Sequence, residues 1–249
     1  MPHDPWPRPL FVPGGGETVL SFVVYAPALL TWDFTLPAEG SPVAALPAGV
    51  EVHLYAREAT PEFAEWADAL AADPAAPHAA ALATAGVWYE VGGRAPSTAD
   101  LTAVQAAWAL VRVLCRAGGL AVWDCVAMRW TAAADALAAD PGHPGLAAAC
   151  GVELAEVERH GLVAVHTLGM PKFGRRDLIA FGTAENATLL GGLLQGLALD
   201  LIEGAVLASG DEVAKGGLRL RAEGYAPGFN GPEVAVPFCE QPLVLVPLE

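Results

Sequence analysis

Positive charge is what this chain has least of. Its 249 residues carry 13 Lys and Arg against 28 Asp and Glu, a formal net charge of −15. Nucleic-acid binding needs clustered cations that replace the counterions of phosphate, and docking on anionic lipid needs them too. Neither partner is expected. Charge of either sign is thin, at 16% of residues, while 54% are hydrophobic. So apolar a chain buries a sizeable core, which excludes a disordered one. The negative balance keeps it dispersed. It also suits a basic protein partner, because complementary fields speed and select association.

Motifs for chemistry are missing as well. The four cysteines, Cys115, Cys125, Cys150 and Cys239, form no CxxC pair and no zinc-ligand spacing. They read as reduced, buried, small apolar residues; Cys125, beside Asp124 at a strand end, is read the same way. His160 and His166 lie on one strand face about 20 Å apart, too far to share a metal. No HExxH strengthens them. No metal or cofactor is expected. The four serines, Ser21, Ser41, Ser97 and Ser209, include no G-x-S-x-G. Gly169 to Gly174 holds a lysine but leads into a strand without the Gly-Lys-Ser/Thr of a phosphate loop. Gly14 to Gly16 has no strand before it. No catalytic residue is assigned, and the reading leans away from an enzyme. The first residues, MPHDPWPRPLFVPGGGE, place prolines and charges where a signal peptide needs an apolar run, so a cytoplasmic location is expected. The run Ala187 to Leu199 is shorter than the roughly 20 residues of a membrane span. Asp200 and Glu203 follow it, and it reads as a buried helix.

What is present is a mixed pattern of periods. Alternation predicts strands over Val19–Tyr25, Glu51–Arg57, Val87–Val91, Leu162–Leu168, Asp177–Phe181 and Leu218–Glu223. Leu120–Trp130 reads as a strand running into a loop. Glu233–Phe238 and Leu243–Val246 are broken by Pro237 and Pro242 and are expected at a sheet edge. Thr60-Pro61-Glu62 starts a helix with the stripe Phe63, Trp66, Ala67 and Leu70. Pro77–Ala85 suggests a short second helix. Ser97 with Asp100 resembles a capping box for the longest helix, whose stripe is Leu101, Val104, Trp108, Val111 and Leu114 or Cys115. Ala117-Gly118-Gly119 closes it. Thr131 caps a short alanine helix ending at Asp140-Pro141, and Asn186 caps the apolar one. Strands and helices do not alternate strictly, so a doubly wound parallel sheet is disfavoured. The expected class is α+β, with a mixed, mostly antiparallel sheet and helices mainly on one face. It is read as one domain over 1–249, or as a smaller N-terminal lobe over 1–95 with a main lobe over 96–249.

One stretch concentrates the scarce cations: HTLGMPKFGRRDL, residues 166–178, where Lys172, Arg175 and Arg176 fall within five positions. Two readings stand. In the first it is a tight turn between strands: Gly169 and Gly174 take angles other residues avoid, Pro171 stiffens it, and Met170 and Phe173 tuck into the core. In the second it is an anion or carboxylate pocket. Arg175 and Arg176 are then forks and Lys172 a point charge, His166 and Asp177 handle protons, and Trp123 and Asp124 line the wall.

GLAVWDCVAMRW (119–130) and HTLGMPKFGRRDL (166–178) together resemble bacterial families of unknown function. These carry a Gly-Val-x-Asp-like strand and then His-Thr-x-Gly-(Met/Leu)-x-x-Phe-Gly-Arg-Pro-(Asp/Glu)-Leu. The matching positions are His166, Thr167, Gly169, Met170, Phe173, Gly174, Arg175, Asp177 and Leu178. Arg176 departs from the usual proline. The resemblance covers about the middle third of the chain and implies an accessory or immunity-type protein of bacterial conflict systems. Two functions are therefore expected in competition. One is a non-catalytic, immunity-like or regulatory protein-interaction module with an acidic surface. The other is a small-molecule enzyme or sensor holding an anionic ligand at the 166–177 turn.

Overall fold

The computed structural model describes residues 5–31, 46–138, 151–156, 161–215, 217–232, 234 and 240–248, with the backbone alone for 151–156. His160, Cys150, Cys239, Ser41, the expected end of the alanine helix at 139–141 and most of the expected 233–238 strand lie outside the described residues. The chain groups into two compact units. One takes in Met1–Trp6, Val19–Ala95 and Leu101–Pro144, the other Pro7–Thr18, Pro96–Asp100 and Gly145–Glu249. No single cut near residue 95 separates them.

The first unit is built on five strands. They are β1 (Glu17–Ala26), β2 (Glu51–Ala56), β3 (Val87–Pro96), β4 (Ala121–Asp124) and β5 (Arg129–Ala132), in the order β2-β3-β1-β4-β5. β1 is central and apolar on both faces, as a doubly covered strand must be. Its odd residues Val23 and Tyr25 join Trp88, Trp123 and Trp130 beneath helices α1 (Pro61–Ala71) and α2 (Ala79–Leu82). Phe22 points the other way and meets Trp108 of α3 (Thr102–Arg116) edge-on at 5.7 Å. Helices therefore lie on both faces of this sheet. Leu120–Trp130 is not one strand. Asp124 Oδ1 accepts hydrogen bonds from the N–H groups of Val126 and Ala127 and turns β4 back into β5, so that Trp123 pairs with Trp130. α4 (Ala133–Ala138) follows.

The α1 stripe is rotated from its predicted position. Ala64, Ala67 and Ala71 face the sheet, Phe63 and Leu70 are half-buried, and Trp66 is 39% exposed. The sheet supplies the bulk here. Trp88 and Tyr25 fill the space, and the Tyr25 hydroxyl donates to the Ala67 carbonyl at 3.0 Å, which only a small helix face allows. Thr60 does not cap α1; its hydroxyl donates to the Ala56 carbonyl instead. α3 closes as predicted. Gly118 at φ 120° lets its own N–H and that of Gly119 reach the carbonyls of Cys115 and Leu114.

The second unit holds β6 (Gly151–Glu156), β7 (Leu162–Leu168), β8 (Leu178–Thr183), β9 (Glu212–Lys215), β10 (Leu218–Gly224) and β11 (Leu243–Pro247), ordered β6-β7-β8-β11-β10-β9. All neighbours pair antiparallel except β8 with β11. The α+β class with mostly antiparallel pairing holds, built twice rather than once. β11 was expected at an edge and is interior. Pro242 stands just ahead of the strand, where no ladder donor is needed, and its carbonyl accepts from the Tyr225 N–H. The apolar run is helix α5 (Ala187–Ile202), which packs on β7 and β8 through Leu193, Leu194, Leu197, Ala198 and Leu201. Asn186 makes no side-chain cap there. Among the described residues, no helix is long and apolar enough to cross a membrane.

Trp88 is fully buried between Tyr25 and Phe63. Trp88→Ala is expected to lower the unfolding free energy by about 3–5 kcal/mol, read from urea denaturation; a loss below about 1 kcal/mol would mean the first core does not depend on it.

Candidate functional site

β7 ends at Leu168, and two left-handed glycines, Gly169 at φ 109° and Gly174 at φ 64°, bracket a single 3-10 turn over Met170–Phe173. A Cβ on Gly174 would press on the Gly16 carbonyl and the Ser97 side chain, so both its angle and its surroundings demand glycine. Met170 and Phe173 are fully buried, as the turn reading predicts. The turn is locked by Asp177. Its Oδ1 accepts from the Thr167 hydroxyl at 2.9 Å and the Met170 N–H at 3.2 Å, while Thr167 Oγ1 accepts from the Leu178 N–H at 2.9 Å. The Asp177 carbonyl accepts from Leu243, tying the knot to β11. Burial pushes the Asp177 carboxyl up to about 7, against the Thr167 and backbone donors and the charge of Lys172, which favour the ionised form.

Arg175 is not turned outward. Its Nε donates to the Ala205 carbonyl at 2.6 Å, Nη2 to Gly204 at 2.7 Å and Nη1 to Gly174 at 2.9 Å and Ser97 Oγ at 3.4 Å. Arg8 joins it. Its Nε donates to Ile202, Nη2 to Leu201 and Phe173, and Nη1 to Ser97 Oγ and the Thr98 carbonyl. Both guanidiniums are buried, and none of these partners is a carboxylate. Burial lowers the Arg8 pKa to about 10, with Arg175 adding repulsion, and lowers that of Arg175. Ser97, read from sequence as a cap for α3, instead accepts from both arginines. α3 begins at Thr102 with Leu101 at its cap position and no side-chain cap, so Ser97 lies four residues too early to cap it.

These contacts complete the C-terminal end of α5. The N–H groups of Gly204 and Ala205 return to Leu201 and Asp200, a Schellman turn with Gly204 at φ 115°. The arginines take Leu201, Ile202, Gly204 and Ala205, and the Leu10 and Val12 amides take Glu203 and Gly204. The helix has no basic residue in its own last turn. The positive charge that its dipole favours there arrives from elsewhere in the chain.

The other proposed site residues are placed as follows. Lys172 is 1% exposed and acts on Asp177 through its charge. Arg176 is half-exposed and donates to the Gln241 carbonyl at 2.6 Å. His166 is buried, with Nδ1 3.4 Å from the Thr167 carbonyl. Successive strand residues face opposite sides, so His166 and the Thr167–Asp177 knot lie on opposite faces of the sheet. Trp123 and Asp124 belong to the first unit, the one in its aromatic core and the other holding the β4–β5 turn. The turn thus brings Thr167, Lys172 and Asp177 together and directs Arg175 to the helix end. Arg8 was missed in the sequence because it sits among prolines in an irregular arm; an arginine inside an apolar stretch, PWPRPLF, was the available signal. Among the described residues, no cluster of three His, Cys, Asp or Glu is arranged to hold a metal ion.

Compared with known proteins, the chain matches no family model, no curated protein and no solved structure.

Two outcomes are expected. Arg8→Ala and Arg175→Ala each lower the unfolding free energy by about 3 kcal/mol or more, since each strands buried carbonyls. Arg8→Lys recovers only part, because an ammonium lacks the fork; full recovery in a denaturant titration would refute the geometry. The second outcome concerns pH. Asp177 binds its proton more tightly folded than unfolded, so its contribution is complete below about pH 4 and is lost as the pH rises towards 7. At roughly 1.4 kcal/mol per pKa unit the loss is on the order of 3–4 kcal/mol. Asp177→Asn should flatten the stability profile across that window; an unchanged slope would assign it to other groups.

Proposed function

We propose that this is a cytoplasmic, non-catalytic protein-interaction module, immunity-like or regulatory, whose acidic surface receives a basic protein partner. The observation that carries the reading is how the cations are spent. Of 13 basic residues, Arg8, Lys172 and Arg175 are buried, and the two arginines serve backbone carbonyls. Arg176 serves another carbonyl at the surface. The cluster that suggested an anion pocket is thus occupied with holding the fold. Meanwhile Glu17, Glu51, Glu58, Glu62, Glu65, Glu185 and Glu203 remain exposed. Such a field steers a basic partner and excludes acidic ones. The resemblance of residues 119–130 and 166–178 to bacterial families of unknown function, which implies an accessory or immunity-type protein, is in keeping with this reading.

The test is affinity capture from a lysate of the source organism at low salt, with mass-spectrometric identification and reconstitution from purified components. A basic partner is expected that dissociates as salt approaches about 0.5 M, where screening removes long-range attraction. Capture of no protein at low salt, or of an acidic partner insensitive to salt, would overturn the reading.

A further inference from the structure

Sheet edges are ready-made templates for another strand, and folded proteins guard them with lysine, proline, short length or inward charge. Two of the four end strands among the described residues are guarded. β5 has four residues and runs straight into α4. β9 also has four, with Glu212 paired to Arg219 and Arg221 and Lys215 to Asp200. β6 is described by its backbone alone. β2 is different. It has six residues, Glu-Val-His-Leu-Tyr-Ala, with no lysine, proline or bulge in its continuous register with β3.

Both faces of β2 are open. Val52 is 37% and Leu54 52% exposed on one face; Glu51 and His53 are exposed on the other, next to half-buried Tyr55. From Tyr55 an aromatic ladder climbs onto α1. Tyr55 stacks on Phe63 at 4.0 Å, and Phe63 meets Trp66 at 5.0 Å. Trp66 is exposed, and Glu62 and Glu65 stand on the same open side of α1. One face thus offers carboxylates and aromatic rings, which attract lysine and arginine; the other offers bare aliphatic side chains.

Resting on the partner reading above, we infer that β2 is the docking edge, and that its occupant is an extended segment of the basic partner, added as a further strand, with basic and apolar residues in alternation. Period two carries this specificity. A strand beside β2 sets alternate side chains against Glu51, His53 and Tyr55, and the intervening ones against Val52 and Leu54. Main-chain hydrogen bonds supply affinity, and the alternation selects the sequence. A second copy of this chain is the weaker occupant, because each copy brings a net charge of −15.

The probe is a short capped peptide of alternating lysine and valine, compared with a block isomer of identical composition and with an alternating glutamate–valine peptide. Binding is followed by tryptophan fluorescence and located by amide hydrogen exchange. The alternating basic peptide is expected to bind about tenfold more tightly than its block isomer, as a few matched cross-strand pairs supply. It should slow exchange in β2, and the glutamate peptide should not bind. Val52→Lys/Leu54→Lys, both at exposed positions, should abolish the preference while the melting temperature stays unchanged. Equal binding of the two basic isomers, protection away from β2, or an unaffected double variant would each overturn the edge. So would a dimer of the wild type that the double variant dissolves, which would give the edge to a second copy. In the lysate capture, a basic partner held equally by the double variant would remove the edge and leave the partner reading intact. Capture of nothing by either would remove the partner reading itself.

Discussion

Two buried arginines with no carboxylate partner among the described residues hold the second unit together. A desolvated guanidinium is costly unless every donor finds an acceptor. Here the acceptors are backbone carbonyls at the C-terminal end of α5, which are themselves orphaned by helix geometry and carry the negative end of its dipole. Each group answers the other's need. The helix is almost wholly apolar along its length and has no basic residue in its own last turn. Arg8 and Arg175 approach from distant parts of the chain, and Ser97 takes a hydrogen bond from each. The fork of arginine suits this task because one side chain reaches several carbonyls at once.

This arrangement explains the local oddities of the turn. Gly174 must be glycine because the chain there passes against Gly16 and Ser97. Gly204 must be glycine because it ends the helix in a left-handed step and Phe11 lies where a Cβ would be. Asp177 is buried to tie the close of β7 to the start of β8 through Thr167, and its raised affinity for a proton follows from that burial. A motif dense in charge is here mostly a device for joining a strand, a turn and a helix end.

The surface follows from the same economy. Three cations and two carboxylates, Asp124 and Asp177, are buried, so the exterior keeps the acidic balance of the whole chain. In the proposed reading that exterior receives a basic partner, and β2 is the edge where the field becomes a specific contact.

Much of the fold was legible in the residues. The strand Leu162–Leu168, the apolar helix over 187–202, the glycine that ends α3 and the two glycines of the turn all follow from local period and backbone freedom, which neighbouring side chains alone determine. The α+β class followed from the order of those elements. What local pattern misjudged was every role set by a remote partner. Ser97 looked like a cap and is an acceptor for two arginines. Arg175 looked free to bind a ligand and is bound to a helix end. Trp66 looked like core and is exposed because Tyr25 and Trp88 had filled the space. Pro242 suggested an edge and precedes an interior strand. The sequence by itself determined most of the helices, strands and glycine turns, though not β5, β6 or β9, and that positive charge is scarce. Only the tertiary structure decided where that charge goes, because a buried guanidinium is placed by the carbonyls that accept from it, and those lie as many as 194 residues away.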